Sequence, residues 1–146
     1  MKVSHLILIM FLSLTASICS AQENYTKTIE LIHGTWQLDS LSFGGLQQLP
    51  EPLMRKINEQ MQESKKFTTY YFGEDGKYIN ATKTNTLEGT WKLTQTGDTL
   101  TLFLPDKTIS NKILHIDTDS LAIEPQNETK EVEKSRIFMI RPQKEE

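Results

Sequence analysis

Gly89-Thr90-Trp91-Lys92-Leu93-Thr94-Gln95-Thr96-Gly97-Asp98-Thr99-Leu100-Thr101-Leu102-Phe103-Leu104 decides the fold class. In its second half, Leu100, Leu102 and Leu104 fall on one side of an extended chain, with Thr99 and Thr101 opposite. Side chains of a strand alternate between two faces, so this pattern is that of a half-buried strand. Thr96-Gly97-Asp98 interrupts the alternation with turn-forming residues, and the whole stretch reads as a hairpin.

The same grammar extends outward in both directions. Thr35-Trp36-Gln37-Leu38-Asp39-Ser40-Leu41 alternates, with Trp36 and Leu38 on one face. Turn chemistry recurs at Glu74-Asp75-Gly76, Pro105-Asp106-Lys107, Asp117-Thr118-Asp119 and Pro125-Gln126-Asn127-Glu128. Strand-like runs begin near His33, Phe67, Lys77, Leu87, Thr99, Thr108, Ser120 and Thr129. Sequential hairpins at this spacing predict an all-β, up-and-down antiparallel meander. Eight strands suffice to close it into a barrel and remove the exposed edges.

One segment departs from period two. Over Glu51–Lys65, Leu53, Met54, Ile57 and Met61 recur at helical spacing, while Arg55, Lys56, Glu59, Gln60 and Glu63 fill the other face. Pro50 and Pro52 stand at the start, where a helix tolerates proline. The pattern predicts one short amphipathic α-helix between the first and second strands, lying over the open mouth of the barrel.

The N-terminus reads separately. Lys2, the apolar run Leu6–Leu12, and Cys19-Ser20-Ala21 before Gln22 form a secretory signal peptide over residues 1–21. The remaining residues, 22–146, then form one domain, periplasmic or secreted. A rival reading acylates Cys19, but the large, branched Ile18 before it argues against a lipid anchor. Cys19 is the only cysteine, which excludes an internal disulfide and multi-thiolate zinc sites. The 146 residues carry a net charge of −3, with no basic patch, so nucleic acid is not an expected partner. After the N-terminus no apolar run is long enough to span a membrane.

Gly34-Thr35-Trp36 and Gly89-Thr90-Trp91, with Phe72-Gly73-Glu74-Asp75-Gly76 between them, resemble the short lipocalin-like domains of bacterial exported proteins, within the lipocalin superfamily. The resemblance covers nearly all of residues 22–146. It implies that Trp36 lies across the closed end of the barrel, packed under an arginine from the last strand. Arg136 and Arg141 are both candidates. It also marks Gly34, Gly89 and Trp91 as structural signature positions. The chain departs from typical lipocalins in being shorter, in lacking their disulfide, and in its helix after the first strand. That last feature is nearer to fatty-acid-binding proteins.

Catalytic constellations are missing from the sequence. His33 and His115 make no metal-spaced pair, and no Gly-x-Ser-x-Gly elbow or glycine-rich phosphate loop occurs. Asp117-Thr118-Asp119 lacks the further ligands of a calcium loop and reads as an Asx-type turn. Three sequons begin at Asn24, Asn80 and Asn127, relevant only in a glycosylating host. The positive feature is apolar. Tyr70, Phe72, Tyr78, Leu102 and Phe138 are placed to line a barrel interior, with Ile57 and Met61 of the helix at its entrance. The expected function is non-catalytic binding of a small hydrophobic or amphipathic ligand, with no cofactor and no metal. The alternative is a protein-interaction module, an inhibitor or cell-envelope accessory protein, with a solid barrel.

Overall fold

Leu100 and Leu102 are buried and Phe103 between the rows is exposed, as the pleat of Thr99–Phe103 requires. The computed structural model describes residues 22–43, 49–126 and 135–143. Its strands are β1 (Gly34–Ser42), β2 (Thr69–Phe72), β3 (Lys77–Ala81), β4 (Thr86–Leu93), β5 (Thr99–Phe103), β6 (Thr108–Ile116), β7 (Ser120–Pro125) and β8 (Arg136–Ile140). Each pairs antiparallel with the next, and β8 returns to β1, so the eight-stranded meander is a closed barrel. The ladder shifts between Leu38 and Ser40 in β1 and between Ile113 and His115 in β6. Bulges of this kind sharpen the local twist that closure demands.

Two helices accompany the barrel. Helix α1 covers residues 22–32 and runs directly into β1. Helix α2 (Glu51–Phe67) joins β1 to β2, as expected. The sequence reading did not include α1. Its buried Thr28 and Ile32, with Ile29 packed on the core, show a stripe at helical spacing.

Strand directions sort the connections into two ends. The β2–β3, β4–β5 and β6–β7 turns share one end with α1. The β3–β4 and β5–β6 turns share the other with the α2 link. The core fills the α1 end and the middle: Trp36, Phe72, Trp91, Leu100, Leu121 and Met139 are all buried.

Two expectations need correction. No residue of α2 is buried, and Leu53 is exposed. Only Met54, Ile57, Met61 and Lys65 are half-buried. The helix is held instead by its last turn. Gln37 Nε2, on the outward face of β1, donates to the Lys65 carbonyl at 3.1 Å, and Lys65 Nζ meets Asp39 at 3.0 Å. With only Thr68 between α2 and β2, the helix end is fixed beside β1 and no face of α2 is buried in the mouth. Second, the inward residues of β8 are Ile137 and Met139, paired with Ile123 and Leu121. Phe138 and Ile140 therefore point outward. Ile137-Phe138-Met139-Ile140 is continuously apolar, so its sequence carries no phase, and a one-residue slip exchanges the faces. The described part of the last strand begins at Arg136; residues 127–134, including the expected start near Thr129 and the Asn127 sequon, lie outside the described residues. So does the segment 1–21.

Candidate functional site

The closed end is built around Trp36. The residue is fully buried, and its Nε1 donates to the Ile32 carbonyl at 2.8 Å, tying β1 to the end of α1. The Arg141 guanidinium lies 3.7 Å from the ring centroid of Trp36. Its Nη atoms donate to the carbonyls of Thr35 and Leu31. Arg141 is thus the partner of Trp36. Arg136 is not; it lies at the opposite end, where its Nε meets Glu124 Oε2 at 3.1 Å. Partial burial pushes the Arg141 pKa below its ordinary value, while nearby Asp119 supports the charge. Gly34 has φ +102, and a Cβ there would come within 3.0 Å of Arg141 Nη1. The positive φ favours glycine at that position, and a side chain there would also push the guanidinium off its place.

The second Gly-x-Trp does related work one strand pair away. Trp91 Nε1 donates to the Gly73 carbonyl at 3.0 Å, anchoring the β2–β3 turn. Its ring meets Phe72 edge-on at 5.8 Å, and Phe72 in turn meets Tyr78 at 5.4 Å. Gly89 pairs with Tyr78, and a Cβ at Gly89 would collide with the Phe103 carbonyl oxygen. Glycine there lets β4 and β5 approach closely.

Above this floor the barrel is open. A cavity of ≈ 770 Å³ lies between β2, β3, β5, β6, β7 and β8. Its wall includes Phe72, Leu102, Ile109, Ile123 and Ile137, and its rim Lys107, Thr108, Gln126 and Ser135. The volume is within the range of small-molecule sites. Among the residues expected to touch a ligand, Tyr70, Phe72, Tyr78 and Leu102 are on this wall. Ile57, Met61 and Phe138 are not, for the reasons of helix docking and strand phase given above. The sequence reading missed Asn111, Ile109 and Ile137. Asn111 is fully buried and faces inward, and the Thr108-Ile109-Ser110-Asn111 alternation was the available signal.

Three polar groups stand among the apolar ones. Burial pushes the Tyr70 hydroxyl up to about 12 and raises that of Tyr78 too, with Tyr70 nearby adding to the second. Both remain protonated at neutral pH. Neither hydroxyl bonds to a described residue, and no enclosed side-chain polar atom lacks a partner, so both border open cavity space. Asn111 Nδ2 donates to the Leu100 carbonyl at 3.2 Å, leaving Oδ1 as an acceptor.

Other features carry no chemistry. The concavity along α2 is lined by that helix alone. Asp117 Oδ1 accepts from the Asp119 and Ser120 amides at 2.8 and 2.7 Å, which is an Asx-type turn. Among the described residues there is no group of three His, Cys, Asp or Glu able to hold a metal. Likewise no described helix is long and apolar enough to cross a membrane.

Comparison with known proteins agrees with this architecture. The family model for a lipocalin-like domain matches residues 32–123. Among solved structures, the chain is similar to a DUF4847 family protein from Bacteroides vulgatus, at 12% identity and a TM-score of 0.57. The match covers 79% of this chain and 96% of that one, and at that identity it speaks to the fold alone. No curated protein matches the chain.

Proposed function

The chain belongs to the lipocalin-like domain family, and from that premise we propose that it binds a small hydrophobic or amphipathic molecule inside its barrel, without catalysis. The observation that carries this reading is the ≈ 770 Å³ cavity, apolar on its walls and open at the rim. A site of this kind gains affinity from buried apolar area and orientation from few polar groups. Tyr70, Phe72, Tyr78 and Leu102 are the proposed contacts, joined by Asn111. The alternative, a protein-interaction module, rests on a solid barrel, and the cavity weighs against it.

Export is part of the same proposal. Lys2, the apolar run and Cys19-Ser20-Ala21 support cleavage after Ala21, giving a mature N-terminus at Gln22. Intact-mass analysis of secreted protein checks this; an acylated Cys19 would refute it.

Titration with a neutral fluorescent probe, N-phenyl-1-naphthylamine, tests the binding reading. The wild type should bind at one site, and Leu102→Trp, which fills the cavity, should weaken binding about tenfold or more, equivalent to ~1.4 kcal/mol. Equal affinity in both proteins would place the probe elsewhere and overturn the reading.

A further inference from the structure

The polar groups of the cavity select among amphipathic ligands. A cavity that takes ionised lipids needs a buried cation, because an ionised carboxylate left unpaired in an apolar site is costly. Among the described residues, the only charged one on the cavity wall is Lys107, and it is exposed at the rim. What the interior offers is neutral. Tyr78 is almost fully buried beside Phe72, Tyr70 stands next to it along the inner face of β2, and Asn111 is fully buried on β6. The two hydroxyls have no partner among the described residues, and Asn111 keeps an acceptor free. Polar atoms that open onto an otherwise apolar cavity, with no partner among the described residues, are placed to hydrogen-bond a ligand there. A hydroxyl completes both kinds, since it accepts from a tyrosine and donates to an amide oxygen.

We propose that the ligand is an uncharged amphiphile whose hydroxyl, or comparable neutral hydrogen-bonding group, enters the barrel and is held by Tyr78, Tyr70 and Asn111. This rests on the binding function proposed above and deepens it. A carboxylate of the same chain length is rejected from that end of the cavity, because its charge meets no cation among the described residues there. It would have to sit reversed, with its head at Lys107.

Competition against N-phenyl-1-naphthylamine separates these arrangements, using 1-decanol and decanoate at neutral pH. The alcohol should displace the probe at concentrations about tenfold or more below the acid, as expected when a charge is desolvated without a partner. Tyr78→Phe keeps the ring and removes only the hydroxyl. It should weaken the alcohol about five- to tenfold, the range of one hydrogen bond, relative to any change in the probe's own affinity measured on the same variant. Decanoate binding as tightly as decanol, with the acid weakened by Lys107→Ala, would establish the reversed orientation and overturn the proposal. So would an alcohol affinity unmoved by both Tyr78→Phe and Tyr70→Phe. Failure of the probe itself to bind the wild type would instead remove the cavity-binding function, and this inference with it.

Discussion

The two ends of this barrel are built by opposite rules. At the closed end nearly every polar atom is committed: Trp36 to Ile32, Trp91 to Gly73, Arg141 to two carbonyls and an indole face. Asp98 gathers the hydroxyls of Thr96, Thr94 and Thr99 at 2.7, 2.8 and 3.1 Å. At the open end, tyrosine hydroxyls border empty space, α2 buries no residue, and the rim is solvated. The difference teaches a division of labour. One end holds the fold together and can spare nothing. The other gives up packing to leave room, and the first must compensate for what it forgoes.

Substitutions can break that contrast in graded steps. Trp36→Ala should be the most severe, costing roughly 3–5 kcal/mol as other large core truncations do. Urea unfolding should then show a collapsed midpoint, or a chain that does not fold at ordinary temperature, since small domains hold only about 5–15 kcal/mol in all. A midpoint near that of wild type would mean that the closed end is not the stabilising one. Arg141→Met comes next. It removes the cation over the indole and leaves two carbonyls to find water, for an expected loss of about 1.5–3 kcal/mol. Arg141→Lys should recover only part of this, because an ammonium cannot bridge both carbonyls while lying flat on the ring.

The open end should respond far less. Ile57→Ser with Met61→Ser should cost about 1 kcal/mol or less, because neither side chain is buried and surface changes are usually mild. Probe affinity should stay within about twofold of wild type, since neither residue lines the cavity. A tenfold loss of binding would show that α2 closes over the mouth in solution.

The smallest effect concerns pH. Hydrogen bonds from Thr96, Thr94 and Thr99 hold the Asp98 carboxyl below the usual Asp value. A carboxylate whose pKa is depressed by folding stabilises the protein above its unfolded value, near about 3.9, and that contribution is lost as pH falls through the folded one. Asp98 is exposed, so solvent keeps its share modest. Asp98→Asn should flatten the acid limb of the unfolding midpoint below about pH 4 while changing little at pH 7. An unchanged acid limb would assign acid lability to other groups.

Much of this architecture is legible in the amino acids, and the exceptions have physical causes. Alternation at Thr99–Phe103 and the Gly76 and Gly97 turns locate strands because pleat and backbone chirality act within a few residues. Both turn glycines have positive φ, 81° and 72°. The indole of Trp36 announces a large buried surface wherever it falls. Its partner is another matter: Arg136 and Arg141 are equally plausible until the β1–β8 register places one at each end of the last strand. Phe138 reads as interior from the sequence because four consecutive apolar residues give no phase. Helix α1 is hard to read from the sequence because β-branched Thr26, Thr28, Ile29 and Ile32 weaken its local propensity, and packing on the barrel end stabilises it. For the site, aromatic residues on the wall could be read, whereas Asn111 had only the Thr108–Asn111 alternation as a signal, and alternation alone does not say which face is inward. A lone polar residue in an alternating run faces in or out according to register, which is set by its neighbours.

The ring closes between the strands that are farthest apart along the chain, with Gln37 against Ile140 and Leu38 against Met139. A ribosome delivers β1 first and β8 last. For all the time between, β1 and the growing final strand each present an unpaired row of amides and carbonyls, the kind of edge that recruits other chains. Such long-range pairing also makes folding slow. The molecule is thus most adhesive during its own manufacture. Ending the chain before Arg136 would make that condition permanent, and such a fragment should assemble into multimers, as size-exclusion chromatography would show.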